Sequence, residues 1–254
     1  MSARTFGVLL RKELREQVRS YRLLVIGLLF VFLGLASPLL AKLTPEILRR
    51  VGTGQGVVIE IPEPTALDAV AQYVKNLSQI ALFVLIFLTM GSVAAEKERG
   101  TAAFVLVKPV SRLAFLSAKL AVSWASVAAA LVLSSLCAYA YTAVLFLPLG
   151  VTAFALANLA LLLHLLTFVA TTVAFSAAAR SQVVAGVLSF LAWILLASLG
   201  GLGYATEFLP GRLLSAAAAA AAGGPLPWEP LVGSGALIAL SFVGAVAAFR
   251  RWEP

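Results

Sequence analysis

The feature that most restricts the fold of this chain is an uncharged stretch of 60 residues, 120–179, with no Asp, Glu, Lys or Arg. A helix needs about 20 apolar residues to cross a bilayer. The stretch is therefore long enough for two crossings. Pro148 and Gly150 predict the turn between them.

The composition of the whole chain supports a membrane protein. Hydrophobic residues make up 61% of the sequence and charged residues 12%, whereas a soluble domain is about 45–50% apolar and roughly 25% charged. The same composition excludes a disordered chain. The net charge of +8 would suggest nucleic acid in a soluble protein. Here the cations flank apolar segments, so we expect them to control topology and predict no nucleic-acid partner.

Charge-free windows predict an all-α integral membrane protein with six transmembrane helices in one domain, residues 1–254. The predicted spans are 23–41, 76–95, 120–147, 152–179, 181–203 and 231–249. The first follows a basic stretch, as a signal peptide would, but it is long for a cleaved signal. We therefore expect it to be retained as a span.

The distribution of cations predicts the orientation. With the N-terminus inside, 14 of the 19 Lys and Arg residues lie in inner segments and 5 in the outer segments 42–75 and 204–230. Short loops rich in Lys and Arg stay cytoplasmic. We expect a multi-pass protein of the cell inner (cytoplasmic) membrane with both termini in the cytoplasm.

Residues 1–22 have the pattern of an amphipathic helix. Apolar residues and arginines form two neighbouring stripes, which are Phe6, Leu10, Leu14, Val18 and Tyr21 in one and Arg11, Arg15, Arg19 and Arg22 in the other. The pattern predicts an interfacial helix on the inner membrane surface, with arginines near lipid phosphates. The alternative is a solvated basic tail that only sets topology.

Both outer segments contain helix signals. In 42–75, glycines at 52, 54 and 56 break the chain, and Thr65 with Asp68 predicts the start of a short helix leading into the second span. In 204–230, seven alanines precede Gly223 and Gly224, which predicts a short helix. That helix is re-entrant, lies on the surface, or is a plain linker.

The chain lacks the residues that common enzyme sites need. It has one His and one Cys, too few for a metal site built from these ligands. No carboxylate falls inside a predicted span, and no Gly-x-x-x-x-Gly-Lys-Ser/Thr loop is present to cradle phosphates. We expect no catalytic, cofactor or metal site, and an intramembrane enzyme is disfavoured because its polar constellation is missing.

Two polar residues of the fourth span are candidates for an intramembrane polar site. His164 lies near the middle of this span, and Asn158 precedes it by six residues. An ionisable group inside a membrane is a functional hypothesis by default. The alternative is that both side chains hydrogen-bond to neighbouring helices and hold the bundle, in which case His164→Ala is expected to be nearly neutral.

The loop between the second and third spans, residues 96–119, carries the most informative motif. It opens with Glu96, Lys97, Glu98, Arg99, Gly100 and Thr101, continues with apolar residues that include Phe104 and Leu106, and reaches Lys-Pro-Val-Ser-Arg at 108–112. Apolar side chains on an exposed loop indicate a docking surface. The alternative is an amphipathic turn lying on the bilayer.

Glu-Lys-Glu-Arg-Gly-Thr after a span, then Lys-Pro-Val-Ser-Arg before the next, resembles the permease subunit of type-2 ABC transporters. The resemblance implies that the cytoplasmic segment from Glu96 to about Val107 is a coupling helix, seated in a groove of a separate ATPase subunit. The coupling residues would be Glu96, Lys97, Glu98, Arg99, Gly100, Thr101, Phe104 and Leu106. The helix near 5–22 would be the connecting helix beside it.

The resemblance also implies partners. Two permease subunits, identical or different, would assemble with two ABC ATPase subunits in the lipid bilayer. This chain would carry no cofactor, because ATP and Mg²⁺ would bind to the ATPase subunits. The family expectation is an exporter. The alternative function is a membrane scaffold or sensor that couples to the ATPase without transport.

Overall fold

The computed structural model describes residues 3–54, 62–101, 111–147, 149–199 and 206–252. In these ranges the regular structure is helical and no strand is formed. The helices are α1 (Ala3–Arg19), α2 (Arg22–Gly54), α3 (Ala66–Asn76), α4 (Leu82–Thr89), α5 (Gly91–Glu98), α6 (Arg112–Leu145), α7 (Val151–Ala178), α8 (Gln182–Leu199), α9 (Arg212–Ala221) and α10 (Glu229–Arg250).

Six helical segments of the described residues are long and apolar enough to cross a membrane. They are α2, the continuous segment Ala66–Glu98 that contains α3 to α5, and then α6, α7, α8 and α10. The predicted fold class is thereby confirmed: the molecule is all-α and has six candidate transmembrane helices. The boundary between α6 and α7 agrees with the predicted turn, since α6 ends at Leu145 and α7 begins at Val151.

Several helices extend beyond the charge-free windows. α2 continues past Ala41 through Pro45 to Gly54, and α6 begins at Arg112, ahead of the window that opens at residue 120. Charges mark where a helix leaves the apolar layer, whereas caps mark where it ends. Ser111 caps α6 by accepting a hydrogen bond from the Ala114 amide at 3.2 Å. Thr65 and Asp68 form the capping box predicted for α3.

α7 lies at the centre of the bundle and packs against α4, α5, α6, α8, α9 and α10. The core around it is apolar, and Leu161, Leu165 and Phe168 of α7 are fully buried. Besides α7, α6 also packs against α2. There Gly34 is needed, because a Cβ at this position would come within 2.6 Å of the Ser134 carbonyl oxygen.

α9 is an integral part of the bundle. Its alanine face, with Leu213, is buried against α7 and α3. The helix predicted from the alanine run is therefore confirmed, and its packing excludes a free linker. Gly223 follows it with φ 85°, a backbone conformation that glycine adopts readily and that ends helices.

Candidate functional site

A charged cluster joins three helices that are far apart in the sequence. We define it as Lys12, Glu13 and Glu16 of α1, Glu96 of α5 and Lys119 of α6. Lys119 is the most buried member, with 3% of its side chain exposed, and Glu96 retains 13%. Each of the three helices thus contributes a charge that water hardly reaches.

The ion pairs within the cluster are short. Lys119 Nζ lies 2.7 Å from Glu96 Oε1 and 3.1 Å from Glu13 Oε2. Lys12 Nζ lies 2.8 Å from both Glu13 Oε1 and Glu96 Oε1. The two ammonium groups therefore share two carboxylates, and neither α1 nor α6 can shift without disturbing Glu96.

The acids of the cluster come close enough to one another to raise the question of a metal ion. Oxygen atoms of Glu13, Glu16 and Glu96 lie within 4.8 Å of one another. The ammonium groups of Lys12 and Lys119 already offset two of the three carboxylate charges. This arrangement supports a structural ion-pair network.

The electrostatics of Lys12 show the same balance. Burial disfavours its charged form, but hydrogen bonds and charge attraction from Glu13 and Glu96 outweigh that effect and raise the pKa of Lys12 above its usual value. Lys12 therefore stays protonated over the physiological pH range.

A second contact strengthens the joint between α1 and α6. Ser126 Oγ of α6 donates to the side-chain oxygen of Gln17 at 2.5 Å. Leu9, one helical turn before Glu13, packs against Ala114 and Ala118 of α6. One face of α1 thus lies along α6 through apolar, ionic and hydrogen-bonded contacts in succession.

The residues after Glu96 hold neighbouring helix ends. Lys97 Nζ donates to the carbonyl oxygens of Ala177 and Ala179, at 2.9 and 2.8 Å, and so caps the C-terminus of α7. Glu98 is exposed and accepts a long hydrogen bond, 3.4 Å, from the Gln182 amide at the start of α8. The motif is therefore connected to α7 and α8 as well as to the cluster.

The motif ends in a turn at the C-terminus of α5. Arg99 is exposed, and Gly100 has φ 69°, the left-handed conformation that follows a helix C-terminus. Thr101 Oγ1 donates to the Glu96 carbonyl oxygen at 3.2 Å. Phe104 and Leu106 lie outside the described residues, so the predicted coupling helix stays a prediction.

The predicted residues are distributed over two places. The motif Glu96–Thr101 and α1 meet at the cluster, with Arg11, Arg15 and Arg19 exposed on α1 and Arg22 partly buried at the start of α2. His164 and Asn158 lie elsewhere, inside the bundle. In the structure Glu96 contacts both α1 and α6, and the contact with α6 was not predicted from the sequence.

The two polar residues of α7 make contacts that hold helices together. His164 is buried and its Nδ1 lies 2.9 Å from the Pro210 carbonyl oxygen. Asn158 accepts a hydrogen bond from the Tyr73 hydroxyl at 2.9 Å. These contacts favour the packing interpretation of both side chains.

Four cluster residues were not predicted as site residues: Lys12, Glu13, Glu16 and Lys119. One signal for them was present in the sequence. Glu13 follows Leu9 by four residues and so shares its helical face, which is a different face from the arginine stripe. Nothing in the sequence pairs this face with Lys119, because that contact spans 106 residues.

Comparison with known proteins identifies the family. A family model described as ABC-2 family transporter protein matches residues 8–206, which include every member of the cluster. This chain belongs to the ABC-2 transporter family. With its six candidate transmembrane helices, it is a multi-pass membrane protein of that family, and the resemblance inferred from the Glu96–Thr101 motif is confirmed.

A curated relative of this ABC-2 protein is also a membrane protein. The "Uncharacterized transmembrane protein YxlG" of Bacillus subtilis (strain 168) is 28% identical over 112 residues. The match covers 44% of this chain and 43% of the relative. The chain therefore aligns with less than half of the relative's length.

Proposed function

We propose that this chain is the permease subunit of an ABC exporter, driven by a separate ATPase subunit that docks on the segment beginning at Glu96. The observation that carries the proposal is the charged cluster. The cluster connects Glu96, the first residue of the docking segment, to α1 through Lys12 and to α6 through Lys119.

The geometry supplies a path for mechanical coupling. Glu96 lies in the last turn of α5, immediately before the exposed residues Glu98, Arg99 and Gly100. A displacement of these exposed residues therefore acts on Glu96 within one helical turn. Because Glu96 is paired with Lys119, the displacement passes to α6.

α6 carries the displacement across the membrane. Its 34 residues make a helix about 51 Å long, more than the roughly 30 Å of the hydrocarbon layer. It packs against α2 and against α7. A tilt or shift imposed at Lys119 therefore reaches the opposite end of the bundle, where a translocation pathway opens or closes.

The proposed assembly contains two copies of the ATPase subunit and a second permease subunit, identical or different. ATP and Mg²⁺ bind to the ATPase subunits. ATP drives the change only if it binds one conformation of the assembly better than the other.

The distribution of Lys and Arg supports the proposed orientation. With 14 of these 19 residues in inner segments and 5 in outer segments, cytoplasmic termini in the inner membrane are favoured. In this orientation the docking segment lies on the side where ATP is available.

The first test is co-purification of the tagged chain from its native membrane in mild detergent, with mass spectrometry of its partners. We expect a stoichiometric ATPase subunit. The double variant Glu98→Lys/Arg99→Glu, in which both side chains are exposed, should lose it. Glu63→Lys, an exposed site in the predicted outer segment, is the matched control and should retain it.

Two outcomes would contradict the proposal. If the chain were recovered alone, under conditions that preserve other membrane complexes, the hypothesis of an ATPase-driven permease would be wrong. Recovery of the complex without ATP-dependent transport in reconstituted vesicles would favour the scaffold or sensor instead.

A further inference from the structure

α1 presents three different faces, and the most buried of them contacts α6. Leu9, Glu13 and Gln17 recur every four residues and face α6. Beside them lies an apolar face that is exposed near the end of α1, where Leu14 and Val18 are 49% and 55% exposed, and Tyr21 in the following turn is 69% exposed. Exposed apolar residues on a helix joined directly to a transmembrane segment indicate contact with lipid.

The third face of α1 is basic. Arg11, Arg15 and Arg19 are exposed and make no ion pair within the part of the chain that the structure describes. The two acids of α1, Glu13 and Glu16, are both paired with Lys12. The positive charge of this face is therefore available to an anionic partner.

The position of α1 indicates which anionic partner fits. A turn of two residues, Ser20 and Tyr21, joins it to α2, and Tyr21 has φ 58°, a left-handed conformation that breaks the helix. Arg22 then begins the first candidate transmembrane helix. The basic face is thus held next to the bilayer, where phosphate groups of anionic lipids accumulate.

α1 is also connected to the docking segment. Glu13 and Lys12 lie on or beside the face that contacts Lys119 and Glu96. α1 is a single uninterrupted helix, so a change in its depth or tilt on the membrane moves Lys12 and Glu13 with it. Glu96 follows, because its carboxylate is shared between Lys12 and Lys119.

We propose that the basic face of α1 binds anionic phospholipid headgroups and that this binding sets the position of the Glu96–Thr101 segment. The lipid composition of the membrane thereby regulates the segment. The consequence for ATP hydrolysis rests on the proposed function; lipid binding and its effect on the segment do not.

Lipid binding is tested on the purified chain alone. Native mass spectrometry in detergent compares binding of phosphatidylglycerol with that of phosphatidylcholine. We expect the wild type to prefer phosphatidylglycerol. In Arg15→Gln/Arg19→Gln this preference should fall by about fivefold for each arginine removed. The control Lys42→Gln/Lys75→Gln removes the same charge from exposed positions of the predicted outer segment and should keep the preference.

The effect on the segment is tested by hydrogen exchange of residues 91–101 in lipid nanodiscs. Nanodiscs of phosphatidylcholine are compared with equimolar phosphatidylcholine and phosphatidylglycerol. We expect exchange to slow severalfold with phosphatidylglycerol in the wild type and in the Lys42/Lys75 control. In Arg15→Gln/Arg19→Gln the exchange rate should not change with phosphatidylglycerol.

Three results would overturn the inference. One is an unchanged preference for phosphatidylglycerol in Arg15→Gln/Arg19→Gln. Another is a rate of hydrogen exchange at residues 91–101 that is the same with and without phosphatidylglycerol in the wild type. The third is loss of a co-purifying ATPase subunit in this variant with lipid preference intact, which would make the basic face a protein-docking surface. Absence of any ATPase from the wild type would count against the proposed function only.

Discussion

The ammonium group of Lys119 lies 2.7 Å from Glu96 Oε1, although 96 and 119 are on different helices, and only 3% of the Lys119 side chain is exposed. Removing charged groups from water costs free energy. The attraction within the ion pair offsets that cost only while both partners are present. The contact therefore makes the end of α5 and the beginning of α6 move as one unit.

Replacing Lys119 with methionine should destabilise the protein. The substitution leaves Glu96 and Glu13 with only Lys12 as a cationic partner in the cluster. Losing one partner of a buried ion pair costs about 3–5 kcal/mol. The measurement is thermal unfolding in detergent, with Lys75→Met, an exposed site, as control. Equal melting temperatures for Lys119→Met and the wild type would show that the cluster does not stabilise the fold.

Removing both sides of the pair should separate stability from coupling. In Lys119→Met/Glu96→Met no unpaired charge remains between α5 and α6, and Lys12 stays paired with Glu13. Apolar replacement of a buried ion pair is often neutral or stabilising. We expect the melting temperature to recover relative to Lys119→Met while ATP-dependent transport stays impaired. Full recovery of transport would exclude a role of the pair in coupling.

Charge reversal at Glu98 should affect docking without affecting the fold. Glu98 is exposed, and its described contact is a single 3.4 Å hydrogen bond from the Gln182 amide. We expect Glu98→Lys to change the melting temperature little, because exposed charges contribute about 0–1 kcal/mol. Glu96→Lys, which would oppose Lys12 and Lys119 directly, should instead lower it. ATPase co-purification and thermal unfolding of the two variants distinguish these effects.

Ser176 is expected to be required for the packing of α7 against the second transmembrane segment. Its hydroxyl donates to the Met90 carbonyl oxygen at 2.6 Å and accepts from the amides of Val93 and Ala94 at 3.0 Å. Ser176→Ala should cost about 1–3 kcal/mol, because buried polar groups lose their partner. Thermal unfolding measures this, with Ser135→Ala as control, at a partly buried position whose hydroxyl bonds only to a carbonyl of its own helix among the described contacts. An equal effect at Ser135 would contradict the assignment.

Substitutions at His164 should reveal a packing role. The Nδ1 atom contacts the Pro210 carbonyl oxygen, and the ring packs edge-on against Phe168. The sequence alone suggested that His164→Ala is nearly neutral, but the substitution removes both contacts of a buried ring and should lower the melting temperature. His164→Asn places an amide donor near the position of Nδ1 and should recover part of the stability. Transport should follow stability in both variants. Loss of transport in His164→Asn with normal stability would instead indicate a functional intramembrane site.

Local chemistry explains which elements the sequence predicted well. The six spans follow from apolar length, the α3 cap from Thr65 and Asp68, and the α9 helix from its alanine run. Each of these depends on neighbours within a few residues or on the length of one segment. The far end of α2 was less predictable, because residues 42–54 are polar enough to leave the bilayer yet still form a helix through Pro45.

The location of the predicted polar residues needed three-dimensional packing. Asn158 and His164 looked equivalent as isolated polar residues of one span, but they contact Tyr73 and Pro210, which lie in different parts of the chain. The 204–230 segment allowed a re-entrant, surface or linker helix, and the burial of Leu213 and the alanine face of α9 against α7 excludes the linker.

The sequence by itself determined that this chain is an all-helical membrane protein of the ABC-2 family, because apolar span length and the Glu96–Thr101 motif are local properties. Only the tertiary structure decided what the motif is attached to. The contacts of Lys119 with Glu13 and Glu96 join positions separated by 106 and 23 residues. Helical periodicity gives the face of each residue, but which faces meet depends on how all the helices pack together.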